Sequence, residues 1–285
     1  MIGSLDESLH RGLKPVSSTV PAFVSPGLET DVAETIERVE RAHAFFVSAL
    51  GIEPRLAVLV LGPTEWAQRS NHPLYGMPNY RDGNLVLAGQ PNPFWGGLVE
   101  LAVGEIPDAA RLLEGVYRSE RGGADLSPFF DLLGVHELAH IFIEAGGRVP
   151  AQLWVLELAC NVFLHTYVAT EEPKELAALE TFPAVFARIA SDRFTHQTLA
   201  DFEASYAQGM DGANYAWFQS RFHVAAKRIY DAGGASVPSD LWRVLAEAGA
   251  DGFEELVAER LGRTSGDVLR RLTRTRTLTT EPIQR

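Results

Sequence analysis

Two eighteen-residue stretches limit what this chain can fold into more than anything else in it. Residues 128–145 read PFFDLLGVHELAHIFIEA and residues 151–168 read AQLWVLELACNVFLHTYV, each apolar almost all the way round. A helix with no polar side is a buried helix. Yet each run strands ionisable groups: His136, Glu137 and His140 in the first, Glu157 in the second. Polar or charged groups in a core are costly unless something compensates them. The fold must bring these groups to one another or to a shared partner.

The first run has helix signals at both ends. Ser127 is a good N-cap, Pro128 suits the first helical position, and Gly146-Gly147 supplies a stop. His136-Glu137-Leu138-Ala139-His140 is an H-E-x-x-H sequence. On a helix its two histidines lie one turn apart on one face, so both imidazoles can reach one metal ion. The alternative is a pair of satisfied core histidines with a local salt bridge.

A catalytic zinc takes three protein ligands and keeps a fourth position for water. A third histidine six residues past the second is excluded, because Gly146 stands there. Glu157 is the better third ligand. His140 precedes the glycine stop, and Glu157 follows the start of the second helix, by about six residues each. At about 1.5 Å per residue both lie roughly 9 Å from the turn, level in an antiparallel pair. Asn161, one turn past Glu157, could accept the free ring N–H of a ligating histidine, or simply bond between helices. Glu144 is expected to face solvent, and His165 is a weaker alternative ligand. Cys160 reads as a small hydrophobe among Leu158, Ala159 and Val162; a thiolate ligand is the alternative, off the face of Glu157 and Asn161.

The rest of the chain predicts an α+β fold. A helix is expected over 30–49, capped by Thr30 or Asp31. Arg55–Leu61 and Asn84–Ala88 read as strands, the latter after the turn signal Arg81-Asp82-Gly83, and Val20–Val24 as an edge strand. The sheet should be small, mixed and confined to the first hundred residues. Helices are expected over 107–119, 128–145, 151–169, 173–191 (interrupted at Pro183), 197–208, 213–232, 238–248, 252–261 and 265–273. This divides the chain into an α/β portion, 1–125, and a larger helical portion, 126–285, with room for a cleft between them. The Arg-rich stretch 256–277 has a faint helix-turn-helix look but reads better as a solvated face.

Charge bears on partners. The formal net charge is −12, a field that disfavours nucleic acid and anionic membranes. Cys160 is the single cysteine, so no intramolecular disulfide forms. With no signal-peptide pattern in MIGSLDESLHRG and no long unbroken apolar span, a cytoplasmic location is expected.

HELAH at 136–140 followed by ELACN at 157–161 resembles the gluzincins, zinc peptidases that include thermolysin and the zinc aminopeptidases. The resemblance covers roughly 130–230 and implies a zincin-like fold holding one zinc ion. It implies His136, His140 and Glu157 as ligands and Glu137 as the general base of peptide-bond hydrolysis. Asn161 stands where thermolysin-like proteins carry an acidic residue. By the same resemblance Tyr215, in GANYAWFQSRF, would stabilise the oxyanion, with Tyr206 and His223 in reserve. The aminopeptidases' glycine-rich edge motif has its nearest analogue in Gly76-Met77-Pro78-Asn79, with Pro78 in place of the glutamate. The expected function is a zinc metallopeptidase acting on a peptide or protein. The alternative is a zincin-fold protein of weak or no activity that binds peptides or a protein partner.

Overall fold

An unbroken run of branched aliphatic residues suits a strand covered on both faces, and Ala57–Leu61 (AVLVL) is buried at every position. It is the middle strand of a five-stranded sheet. The computed structural model describes residues 5–30, 32–90, 95–119, 122–206, 208–248 and 252–274. The strands are β1 (Lys14–Val16), β2 (Ala22–Val24), β3 (Ala57–Leu61), β4 (Asn79–Arg81) and β5 (Asn84–Ala88), in the order β1-β2-β3-β5-β4. β2, β3 and β5 are parallel, while β1 and β4 are antiparallel edges. Asp82 and Gly83 both take positive φ, 45° and 75°, as a two-residue hairpin between twisted strands requires.

Alternation splits the sheet into two faces. Val58, Val60, Leu85 and Leu87 join the main core; Leu59, Leu61 and Val86 meet Leu9, Leu13 and Trp66 on the other side. Helix α1 (Ala33–Leu50) makes the crossover from β2 to β3, and α2 (Pro63–Arg69) leads from β3 toward β4. The helical remainder runs through α3 (Gly96–Glu105), α4 (Ala109–Tyr117), α5 (Ser127–Ala145), α6 (Leu153–Glu171), α7 (Leu176–Phe186), α8 (Leu199–Tyr206), α9 (Gly212–Gly233), α10 (Val237–Glu247), α11 (Phe253–Arg260) and α12 (Arg263–Arg274). The fold is mixed α+β, with a small N-terminal sheet and a mostly helical remainder. One core runs from Val20 on the sheet side to Leu272 on α12. Among the described residues α6 alone is long and apolar enough to cross a membrane, and it is mostly buried inside the protein.

Several elements differ from expectation, each for a local reason. β1 and β4 have three residues each, too few to show a period. β2 lies inside the sheet, flanked by β1, rather than at its edge. The Gly62-Pro63 pair that ends β3 also starts α2, since proline suits a first helical turn. α3 opens on Gly96-Gly97, which reads as loop. Val32 stands at the N-cap of α1 with no side-chain cap bond, and Asp31 lies outside the described residues. Leu126, not Ser127, stands at the N-cap of α5 with no side-chain cap bond, and Asp125 Oδ1 just before it accepts from the backbone N–H and the hydroxyl of Ser127 at 2.9 and 2.7 Å. Pro183 does not interrupt its helix, because the side chain of Tyr117 takes over the local bonds. The Tyr117 hydroxyl donates to Ala178 O and accepts from Phe182 N–H at 3.0 Å, standing inside the helical ladder. The Arg-rich end of the chain folds as α11 and α12, with Val268, Leu269 and Leu272 inward; residues 275–277 lie outside the described residues.

Two contacts set the height of α5. Gly134 lies against β5, where an added Cβ would come 3.0 Å from Leu87. At the other end Gly147 takes φ 63° and Arg148 N–H returns to Ile143 O at 2.9 Å, closing the helix. The chain then reverses into α6, and α9 packs across α6.

Candidate metal centre

The reversal between α5 and α6 pairs their residues in antiparallel order, with His136 opposite Asn161 and His140 opposite Glu157. All four are buried. The Nε2 atoms of His136 and His140 stand 3.1 Å apart. Glu157 Oε2 is 3.2 Å from His136 Nε2, and Oε1 is 3.7 Å from His140 Nε2. Around a tetrahedral ion with bonds of about 2.0–2.1 Å, ligand atoms are about 3.3–3.4 Å apart. The His136–His140 and His136–Glu157 distances are close to that separation, and the carboxylate turns one oxygen to each imidazole.

The orientation of the histidines follows from Glu157. An ionised carboxylate can only accept hydrogen bonds. Gln219 on α9 must therefore turn its amide N–H toward Glu157 Oε2, at 2.6 Å. That leaves Gln219 Oε1 to accept from Asn161 Nδ2 at 2.9 Å. Asn161 Oδ1 then faces His136 Nδ1 at 3.0 Å, so that nitrogen carries the proton. In the neutral ring, His136 Nε2 is left with its lone pair pointing at His140 and Glu157. A hydrogen-bond relay of this kind fixes the tautomer of a metal-binding histidine.

Electrostatics agree with the geometry. Burial pushes the Glu157 carboxyl up, but the two imidazoles and the Gln219 N–H outweigh it and hold the group well below the usual carboxylate range. Burial pushes His140 down to about 4, and the nearby Glu157 carboxylate offsets this only in part. Burial opposes the protonation of His136 as well, but the adjacent Glu157 carboxylate raises it. Glu137, partly buried, is pushed up to about 8 by desolvation, with His136 opposing and Glu157 adding to the rise.

Tyrosines surround this centre. Tyr215 lies on α9 one turn before Gln219, and its hydroxyl accepts from Gln219 Nε2 at 2.8 Å. The hydroxyls of Tyr215 and Tyr206 are both raised by burial and by the charges of Glu157 and Glu137. The other residues considered from the sequence lie elsewhere. His223 packs against Phe129 at 5.3 Å between ring centroids. His165 pairs with Glu180 at 2.9 Å, away from the cluster. Glu144 is exposed.

Three residues of the site were missed or misplaced by sequence reasoning, which allowed a Cys160 thiolate but set it on another face. Cys160 is the first: its Sγ and the ligand nitrogens of His136 and His140 all lie within 4.8 Å of one another, and this buried group could hold a metal ion. The face count that set Cys160 apart is corrected here, since residues three apart on a helix are neighbours. Gln219 is the second; its spacing of four from Tyr215 is a usable signal once α9 is known to lie over α6. Tyr80 is the third. It stacks on His140 with centroids 5.5 Å apart. Tyr80 belongs to edge strand β4, opposite Leu85 in the pair that does not exchange backbone bonds. Its outward carbonyl already accepts from Asn71 Nδ2 at 3.1 Å, so the segment before β4 covers part of this edge.

No family model matches the chain, and neither curated proteins nor solved structures show significant similarity to it.

Proposed function

We propose that the chain is a zinc-dependent hydrolase with a zincin-like fold, a metallopeptidase of the gluzincin type. The observation that carries this reading is the gathering of His136 Nε2, His140 Nε2 and the two oxygens of the Glu157 carboxylate at 3.1–3.7 Å, with the partly buried Glu137 next in sequence to His136. Zinc bound there would supply Lewis acidity and a water acidified toward neutrality. The remaining roles fall to the chain. His136, His140 and Glu157 hold the ion, and Asn161 and Gln219 hold His136 and Glu157 in position. Glu137, whose carboxyl stands at about 8 without a cation and would be lowered by a bound one, takes the proton of the attacking water and returns it to the leaving amine. Tyr215, whose hydroxyl is kept protonated by burial, donates to the oxyanion. A peptide or protein is the substrate class, reached from the side of β4 and Tyr80. The reduced, buried Cys160 fits a cytoplasmic protein.

Glu137→Gln tests the reading directly. The variant should retain stoichiometric zinc by elemental analysis and lose hydrolysis of a fluorogenic peptide library; undiminished hydrolysis removes Glu137 from its role. One observation favours a second reading. Cys160 adds a fourth donor beside the cluster, and a zinc with four protein ligands has no open position. A metal-binding protein that captures peptides without cutting them would look like this.

A further inference from the structure

The cluster holds one donor more than a hydrolytic zinc uses. Glu157 and Cys160 project from neighbouring positions on α6, three residues apart. The thiol and both imidazole nitrogens fit within 4.8 Å. Cys160 is fully buried, and from within the core packing of α6 its thiol stands beside the two imidazoles. His140 points to the same place independently. It is 6% exposed, its Nε2 is turned into the cluster, and its Nδ1 has no hydrogen-bond partner. The ring is held by its Nε2 contacts and by the Tyr80 ring stacked on it.

We propose that Cys160 is the fourth ligand of the resting metal centre, which makes the site selective for a thiophilic divalent ion and closes the position that an attacking water needs. This rests on the metal reading above and adds a control to it: hydrolysis requires Cys160 to leave the ion. On loading, the sulfur–metal bond forms as the S–H bond breaks, and the proton passes to solvent. Thiolate ligation favours zinc, cobalt and cadmium over magnesium or manganese.

Cobalt(II) is the probe, because a thiolate ligand produces a near-ultraviolet sulfur-to-cobalt charge-transfer band that nitrogen and oxygen ligands do not. The full-length protein is stripped with chelator and titrated with cobalt. Visible d–d absorption reports occupancy independently of the thiol. One equivalent of cobalt should bind, with a charge-transfer band in the wild type that is lost in Cys160→Ala and in the closer-sized Cys160→Ser. One equivalent bound by the wild type without the band overturns the Cys160 assignment and leaves the His136, His140 and Glu157 site standing. No stoichiometric cobalt in the folded wild type overturns both. The wild-type spectrum decides the matter even where a variant fails to fold by circular dichroism.

Discussion

Replacing Gln219 by leucine removes the link on which the polarity of the site depends while nearly keeping its volume. Three hydrogen bonds disappear: to Glu157 at 2.6 Å, to Tyr215 at 2.8 Å and from Asn161 at 2.9 Å. A bond to an ionised carboxylate contributes about 1.5–3 kcal/mol, and a buried donor left unmatched, here Asn161 Nδ2, costs about 1–3 kcal/mol. Burying the leucine side chain offsets about 1–2 kcal/mol of this. The metal-free protein should therefore lose about 2–4 kcal/mol. Zinc affinity should fall as well, because the relay sets the His136 tautomer. Losses of this kind are about 10–100-fold, or about 1.4–2.7 kcal/mol. Urea unfolding with chelator and again at fixed free zinc separates the two effects, since zinc adds RT ln(1 + [Zn]/Kd) to stability. The zinc-dependent gain should shrink by the second amount. A variant that is less stable yet keeps the full gain would show that the relay supports the fold without orienting the ligands.

Three further outcomes are expected. Tyr215→Phe should lower kcat about 10²-fold with KM little changed; an unchanged kcat, with the loss appearing instead in Tyr206→Phe, would move the oxyanion donor to Tyr206. Glu172 receives hydrogen bonds from Tyr167 (2.5 Å), Arg38 (2.9 Å) and Arg41 (2.9 Å); burial raises its pKa, but these bonds outweigh burial and hold it below 4.5. A depressed folded-state pKa gives stability that is present above the unfolded value and lost as pH falls through the folded one. Glu172→Gln, which weakens three hydrogen bonds, should therefore cost about 2 kcal/mol near neutrality, with the difference shrinking as pH falls below about 5 in urea titrations; a constant difference contradicts the linkage. Tyr117→Phe deletes the hydroxyl between Ala178 O and Phe182 N–H, and thermal unfolding should show a loss of about 1–3 kcal/mol; no loss would mean that the α7 ladder closes by itself.

What could be read from the residues alone depended on range. Apolar runs with glycine stops describe α5 and α6 from local information, and equal distances from one turn place His140 and Glu157 at one depth. Two strands of the small sheet were readable from AVLVL and NLVLA, whose aliphatic runs are long enough to stand out. β1 and β4 have no such pattern; they are strands because neighbours pair with them, a long-range fact. Tyr80 was hidden for that reason. Gln219 reads as an ordinary polar helix residue until α9 is placed across α6, and only then does its amide meet Glu157. Cys160 failed differently. Its offset of three from Glu157 was in plain view, but an apolar environment makes a cysteine look like packing until the two imidazoles are seen beside it.

The central claim is that one cation sits between α5 and α6. Crystals of the wild-type protein grown with zinc, measured on both sides of the zinc absorption edge, test it most directly. The expected map holds a single anomalous peak about 2.0–2.2 Å from His136 Nε2, His140 Nε2 and a Glu157 oxygen. Density showing these side chains bonded only to one another, with zinc bound elsewhere or not at all, would contradict the account.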